Sequence, residues 1–263
     1  MLAYWTLFVS FASGAVLSSF RPPEVRQRWL LTLLVLAMAL MIGLRFEVGP
    51  DWEAYRYKFA FAGRAELAEV LVLVDPGFQL LNWIVQQLGA GIWLVNLVCG
   101  LVLAFGLLKM ARSQPFPWLL LVVAIPYLVI VIGMSASRQA TALGFALIGL
   151  ANLRSKSFLN VFVWIFIASL FHASAIVLAA IPAGSYSRNR LEAGMILLLS
   201  AIPVFYVLSS TFDDYLYRYG EADVDSAGVY YRLAMNIVAA VLFFLFRRRM
   251  GMTQPELTLW RNL

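Results

Sequence analysis

The sequence has few charged residues, one cysteine and one histidine. Charged side chains make up 13% of its 263 residues, against about 25% in a typical soluble domain. A single cysteine, Cys99, excludes an intramolecular disulfide and a Cys-based zinc site. A single histidine, His172, argues against a metal site built on several histidines. The low charge excludes a cytosolic globular protein and a disordered chain.

Apolar residues dominate the chain instead. They account for 62% of it, and the mean hydropathy is +0.83. We therefore predict an all-α fold, a polytopic transmembrane helical bundle that forms one integral membrane domain over residues 1–263. The net charge of +6 comes from short basic clusters between apolar runs. Membrane topology explains this pattern better than nucleic-acid binding does, so no nucleic-acid partner is expected.

The apolar runs predict about eight membrane segments plus interfacial or re-entrant helices. Residues 2–20 lack the basic start of a secretory signal and are predicted to be a retained first span with the N-terminus outside. Residues 67–74 are too short to cross and, with residues 78–88, are interpreted as interfacial or re-entrant helix on the outer side. The remaining predicted spans are residues 29–44, 91–108, 117–133, 138–152, 193–210 and 230–246, together with the region 158–183.

The region 158–183 decides the topology of the second half. A single long span would place more Lys and Arg outside than inside, whereas a hairpin of residues 158–170 and 173–183 places most of them in the cytosol. At 1.5 Å per residue the hairpin arms are only about 20 Å and 16 Å long, shorter than a hydrocarbon core of about 30 Å. The tip at His172 is then expected below the outer surface, beside protein or a water-filled cavity.

Ionisable and aromatic residues cluster after the second predicted span. Arg45 and Asp51 are compatible with an interfacial ion pair, and Trp52, Tyr55 and Tyr57 with aromatic-belt anchors. The same residues are also compatible with an outward-facing sugar site, because aromatic faces stack on pyranose rings and carboxylates accept hydrogen bonds from hydroxyls. Both interpretations stay open at this point.

Two further residues carry charge or a titratable group at the outer ends of predicted helices. Arg138 is either a snorkelling side chain or, at the start of a helix near Ser137, a forked donor for phosphate. His172 is either a hydrogen-bonded core residue or, at the predicted break, a general base that takes a proton from a hydroxyl.

The predicted outer loop 211–229 is rich in acidic residues. Their spacing does not match an EF-hand, so a solvated loop is favoured over a calcium site. Arg218 in this loop, and Arg232 near the following span, are candidates to face the cavity.

Four short motifs follow one another within residues 45–183. They are Arg45…Gly49-Pro50-Asp51-Trp52…Tyr55…Phe59, Asp75-Pro76-Gly77-Phe78, Ser137-Arg138-Gln139 and Leu170-Phe171-His172-Ala173-Ser174-Ala175. In their order and spacing they resemble the EpsG-type exopolysaccharide polymerases, which are relatives of the Wzy O-antigen and capsule polymerases. The resemblance implies a GT-C-like, multi-pass enzyme of the inner membrane that acts at the periplasmic face on undecaprenyl-diphosphate-linked oligosaccharide.

The resemblance implies transfer of a lipid-linked glycan chain onto a lipid-linked repeat unit. His172 is the candidate base, with Asp51 as the alternate, and Arg138 is the candidate clamp for the departing diphosphate. No cofactor or metal is expected, because fixed arginines suffice to stabilise that leaving group. The candidate substrate-binding residues are Arg45, Trp52, Tyr55, Gln139, Ser174, Arg218 and Arg232.

Other functions remain open at the sequence level. A glycan ligase of the same superfamily would use nearly identical chemistry, and a non-catalytic membrane subunit of a polysaccharide-export system is a further alternative. A transporter is less favoured, because one broken helix and no matching second half are visible. Besides the bilayer, other polysaccharide-export proteins are expected as partners.

Overall fold

The computed structural model describes residues 2–20, 25–153, 158–186 and 228–246, with isolated positions at 191, 194–195, 198, 251 and 257. Within these residues the regular secondary structure is helical throughout, which confirms the all-α prediction. The chain divides into two compact units, Met1–Pro182 and Ala183–Leu263. The single integral membrane domain expected from the sequence stays a prediction, and each unit is described by itself.

Helices of very different lengths make up the two units. In the first unit, a π-helix (Ile125–Gly133) follows α7 (Pro117–Ala124), and a 3-10 helix (Ala173–Ala179) follows α9 (Phe158–Phe171). Helix α10 (Ala180–Tyr186) begins where the 3-10 helix ends, and α11 (Gly228–Phe246) belongs to the second unit. The others are α1 (Leu2–Phe20), α2 (Val25–Gly43), α3 (Trp52–Ala62), α4 (Leu67–Leu71), α5 (Pro76–Gln87), α6 (Ile92–Arg112) and α8 (Ser137–Ala151).

One described helix has both the length and the hydropathy to cross a membrane. It is α6, with 21 residues and a mean hydropathy of 2.1 over its most apolar window. The other apolar helices among the described residues are shorter, and most of the predicted span 193–210 lies outside those residues. The expected eight membrane segments therefore stay a prediction.

Small residues let α6 and α8 pack with their backbones in direct contact. A Cβ atom added at Gly144 would lie 2.6 Å from the carbonyl oxygen of Val102, and one added at Gly106 would overlap the backbone of Gly144. Glycines at such positions allow the close helix contacts that are common in membrane bundles. The contact fixes where the N-terminal end of α8, and with it Arg138, stands relative to α6.

A buried apolar core surrounds α6 on its other sides. Phe11 of α1, Met38 of α2, Leu103 of α6, Leu121 of α7 and Ile125 of the π-helix are all at most 1% exposed. In a membrane bundle such packing stabilises through van der Waals contact between the helices and not through removal of apolar surface from water. This core joins α1, α2, α6, α7 and the π-helix.

The helix break required by the hairpin hypothesis is present at His172. Helix α9 ends at Phe171, His172 has extended backbone angles of φ −155° and ψ 110°, and the 3-10 helix starts at Ala173. The 3-10 helix packs back onto α8 and α9 through a cluster that includes Ala142, Ala168 and Ala175. The alanines permit this close return because their side chains occupy little space.

Candidate functional site

The centre of the candidate site is Asp75, the N-cap residue of α5. Its backbone is left-handed, with φ 60° and ψ 58°, a conformation that Asp tolerates better than most residues. Pro76 follows at the first helical position, where its fixed φ suits a helix start. A Cβ atom at Gly77 would lie 3.0 Å from the carbonyl oxygen of Leu170. This close approach places the start of α5 against the end of α9, beside His172.

The Asp75 carboxylate joins three segments of the chain. Its Oδ2 atom lies 2.5 Å from Nη1 of Arg138, at the start of α8. Its Oδ1 atom accepts a hydrogen bond of 2.9 Å from the backbone N–H of Ala173. The Nδ1 atom of His172 lies 4.0 Å from Oδ2, which is longer than a hydrogen bond but short enough for an electrostatic contact. We call Asp75, Arg138 and His172 the ionic cluster.

The ionic cluster keeps Asp75 ionised. Asp75 is 3% exposed, and burial by itself disfavours the charged carboxylate. The interactions with His172, with the Arg138 guanidinium and with the Ala173 N–H outweigh burial and hold the pKa of Asp75 below its usual value. At neutral pH the carboxylate is therefore a fixed negative charge and a weak base.

Tyr55 of α3 covers the guanidinium of Arg138. The Cζ atom of Arg138 lies 6.0 Å from the centre of the Tyr55 ring, within the range of a cation–π contact. The Tyr55 ring also packs on Phe78, with ring centres 5.5 Å apart. Burial raises the pKa of Tyr55 above its usual value although the Arg138 charge acts in the opposite direction, so the phenol keeps its proton. Two predicted site residues, Tyr55 and Arg138, are thus brought together.

The ionic cluster retains hydrogen-bonding capacity. Within the described part of the chain, the buried Nε atom of Arg138 and the buried Nδ1 atom of His172 have no hydrogen-bond partner. The two side chains are nevertheless 28% and 32% exposed, so other atoms of each reach the surface. Because buried polar atoms are normally paired, unpaired ones in a half-open cluster favour a ligand site over a sealed core.

Arg45 lies in a separate, buried network. It donates 2.6 Å hydrogen bonds to the carbonyl of Gly133 and to the hydroxyl of Ser137, and Ser137 in turn donates to Asn96. Gly133 ends the π-helix, where backbone carbonyls lack intrahelical partners. These contacts tie the end of α2 to the start of α8 and position Arg138 one residue further on. An ion pair with Asp51 is absent among the described contacts of Arg45.

Four other predicted site residues differ in how exposed their side chains are. Asp51 precedes α3 and is exposed, and no hydrogen bond or ion pair among the described residues joins its side chain to the ionic cluster. Gln139 and Ser174 are also exposed, next to Arg138 and near His172 along the chain. Trp52 is 7% exposed, and its indole Nε1 has no hydrogen-bond partner in the region that the structure covers. The substrate-binding roles of these residues stay predictions.

Arg218 and Arg232 are not placed in the site. Arg218 lies outside the described residues. Arg232 falls within α11, but its side chain is outside what the structure describes. In the described segments, no three His, Cys, Asp or Glu side chains converge as metal ligands would. The absence of a metal requirement stays a prediction.

Sequence reasoning did not assign a role to Asp75, although its motif was recognised. An ionisable residue between two apolar stretches is itself a sign of function, and Asp75 has Leu71–Val74 before it and Phe78 soon after it. That signal predicts that the residue matters. It does not show that Arg138 and His172, 63 and 97 positions away, are its partners.

Comparison with known protein families identifies a match over nearly the whole chain. A model described as the EpsG family matches residues 28–262, nearly the whole chain. No curated protein and no solved structure matches the sequence.

Proposed function

The chain belongs to the EpsG family, and we propose from this that it is a polymerase of exopolysaccharide or capsule in the bacterial inner membrane. Family membership supports a membrane protein with a polysaccharide polymerase-like role. The finer proposal is that it transfers a glycan chain from undecaprenyl diphosphate onto a lipid-linked repeat unit, at the periplasmic face. It requires no metal or cofactor in this proposal.

The observation that carries this proposal is the ionic cluster. A permanently charged guanidinium, an imidazole and an ionised carboxylate meet where α5, α8 and the broken end of α9 converge. Glycosyl transfer from a lipid diphosphate has two requirements: an acceptor hydroxyl must lose a proton, and the departing diphosphate must be stabilised. The cluster contains one group suited to each requirement.

The proposed reaction exchanges one bond for another at the anomeric carbon. A hydroxyl oxygen of the repeat unit attacks the anomeric carbon of the growing chain and forms the new glycosidic bond. The bond between that carbon and the diphosphate oxygen breaks, and the lipid diphosphate leaves with the electron pair. The hydroxyl proton passes to the imidazole of His172, which releases it to water.

Arg138 is proposed to bind the leaving diphosphate. Its guanidinium has five N–H donors, of which one is directed at Asp75, so donors remain for phosphate oxygens. Asp75 and the Tyr55 ring hold the guanidinium plane in place before substrate arrives. Such preorganised stabilisation of developing charge is often the largest catalytic contribution, and loss of one donor costs about 3–4 kcal/mol.

His172 is proposed to be the general base, with Asp75 as a positioning residue. The carboxylate faces Nδ1, which favours a proton on that atom and leaves the Nε2 lone pair free to accept one. The 4.0 Å separation is compatible with this role, because catalytic hydrogen bonds are often long before substrate binds. Asp51 remains the alternate base, but its exposed position outside the cluster gives it less support.

Substitutions at Arg138 and His172 test the proposal. We expect Arg138→Ala to reduce polymer synthesis about 10²–10³-fold, because it removes an electrostatic donor. His172→Ala is expected to reduce synthesis about 10²–10⁴-fold, because it removes the general base. The measurement is polymer formed by purified protein in nanodiscs supplied with one lipid-linked repeat unit, with expression checked for each variant.

Arg64→Ala is the matched control, because Arg64 is exposed on the connection between α3 and α4 and outside the cluster. Wild-type polymer from Arg138→Ala would remove that residue from the mechanism. A single transfer product in place of a ladder would identify a ligase. Normal polymer in a strain carrying both cluster substitutions, but not in a deletion strain, would indicate a non-catalytic subunit.

A further inference from the structure

A second polar and aromatic feature lies beside the ionic cluster. A cavity of about 550 Å³ opens along α3, between that helix, the preceding loop and the start of α6. We call it the α3 groove. Its main lining side chains are Phe46, Glu47, Trp52, Glu53, Arg56 and Tyr57.

The composition of the α3 groove combines flat apolar rings with hydrogen-bonding groups. Phe46 and Tyr57 are 73% and 75% exposed, and Phe46 stands edge-on to Trp52 with ring centres 5.7 Å apart. Trp52 also lines the groove, and its indole Nε1–H is buried without a hydrogen-bond partner in the described chain. Sugars present both C–H faces that pack on aromatic rings and hydroxyls that pair with such donors and with carboxylates.

The charges of the groove favour a neutral ligand over an anion or a lipid chain. The groove is lined by two carboxylates, Glu47 and Glu53, and by one guanidinium, that of Arg56. Arg56 is itself paired with Glu53 at 3.2 Å. A diphosphate would meet net negative charge here, unlike at Arg138. An acyl chain would gain nothing from three charged side chains and would desolvate them at a cost.

The backbone of the groove includes a strained residue. Glu47 has φ 52°, an uncommon conformation for a residue that is neither glycine nor asparagine. Among the described residues, the only other non-glycine residue with positive φ is Asp75 of the ionic cluster. Strained backbone is concentrated at functional sites, and here it marks both features.

Helix α3 connects the groove to the ionic cluster. Its Tyr55 packs toward Arg138, while Trp52, Glu53, Arg56 and Tyr57 line the groove on the neighbouring face. An α-helix with its side chains is only about 10–12 Å across. A glycan whose reacting sugar sits at Arg138 therefore has its next sugars within reach of the groove.

We propose that the α3 groove binds the glycan of the growing chain and holds it between successive additions. This inference rests on the proposed polymerase function and adds to it a binding site for uncharged oligosaccharide. A chain held there is elongated repeatedly before it is released, so the groove controls polymer length more than it controls the chemical step.

Binding of oligosaccharide to groove variants tests the proposal. The probe is a set of oligosaccharides released by partial acid hydrolysis of the host strain's own exopolysaccharide. Its binding to full-length protein in nanodiscs is followed by saturation-transfer NMR. Tyr57→Ala and Glu53→Gln are expected to weaken binding about 2- to 10-fold each and to shift the polymer made in vivo to shorter lengths. Both side chains are at least 75% exposed, so neither change should disturb folding.

Phe61→Ala is the matched control, because Phe61 is an exposed aromatic residue on the same helix that does not line the groove. It should leave both binding and polymer length unchanged. Wild-type binding by Tyr57→Ala and Glu53→Gln, no binding by the wild type, or displacement of the sugar by added phospholipid would overturn the proposal. These outcomes are separable from the polymerase test. If Arg138→Ala loses polymer while the groove variants bind sugar like wild type, only the groove proposal fails. If sugar binds the groove but Arg138→Ala makes normal polymer, only the proposed mechanism at Arg138 fails.

Discussion

At the scale of single residues, the least expected feature is that one buried carboxylate, that of Asp75, interacts with three different groups. Asp75 pairs with Arg138, accepts the Ala173 N–H and faces His172. Removing one partner of a buried ion pair leaves the other charge without compensation, which is strongly destabilising. Asp75 therefore contributes both to the arrangement of the site and to the attachment of α5 to α8 and to the broken end of α9.

The lowered pKa of Asp75 predicts how this contribution depends on pH. Because the folded pKa lies below the unfolded value of about 3.9, the ionised pair stabilises the fold fully above that value. The stabilisation is lost as pH falls through the lower folded pKa. We expect Asp75→Asn to lower the thermal midpoint at pH 7 to 8, where the carboxylate is ionised. The difference from wild type should shrink below about pH 4.

Thermal unfolding in nanodiscs across this pH range checks the expectation. Glu66→Gln is a suitable control, since Glu66 is an exposed carboxylate that caps α4 and should show a much smaller difference at every pH. A wild-type advantage over Asp75→Asn that does not shrink as the pH falls from 5 to 2 would show that the Asp75 carboxylate does not provide the pH-dependent stabilisation.

At the scale of helices, the contact between α6 and α8 positions Arg138. A methyl group at Gly144 would meet the backbone of Val102 and Leu103 at 2.6–2.8 Å, and backbone atoms cannot move aside as a flexible side chain can. We expect Gly144→Ala to destabilise the protein by about 1–3 kcal/mol, partly offset by the better helix propensity of Ala. The expected fall in thermal midpoint is about 2–8 °C.

Gly194→Ala provides the control for this substitution, because no atom of the described residues lies within 4 Å of a Cβ placed there. That variant should unfold within about 2 °C of wild type. A Gly144→Ala protein as stable as wild type would mean that the two helices can separate slightly without loss. Polymer synthesis by that variant should then also be normal.

Local features of the sequence predicted several elements well. The start of α8 at Ser137 and the break at His172 are confirmed, because a helix start and a helix break depend mainly on neighbouring residues and on charge balance. The short helices around the Asp75 turn also agree with the sequence prediction. The π-helix over Ile125–Gly133 was not predicted, since an apolar run with one proline gives no distinctive local pattern for it.

Long-range partnerships were harder to obtain from the sequence. Arg45 was predicted to be near Asp51 or the substrate, yet its hydrogen bonds go to Gly133 and Ser137, about 90 positions away. The ion pair between Asp75 and Arg138 was likewise not predicted from the sequence. Both contacts depend on how α2, α5 and α8 pack together, and no local periodicity encodes that packing.

At the scale of the whole molecule, orientation in the membrane determines which substrates the site can meet. The hairpin hypothesis places the ionic cluster toward the outer side and the segment after α10 in the cytosol. A single span across residues 158–183 would instead place that segment outside. The break at His172 and the return of the 3-10 helix onto α8 and α9 favour the hairpin.

Cysteine accessibility in intact cells tests this orientation directly. Native Cys99 is buried and should give little background, and its replacement by Ala removes the rest. We expect a membrane-impermeant maleimide to label Arg64→Cys in intact cells, because Arg64 is exposed and predicted to lie outside. Ser187→Cys, just beyond α10, should be labelled only after the membrane is permeabilised.

Labelling of both positions in intact cells would contradict the hairpin and support one long span. The charge distribution would then oppose the positive-inside rule, and the break at His172 would need an explanation other than a return toward the cytosol.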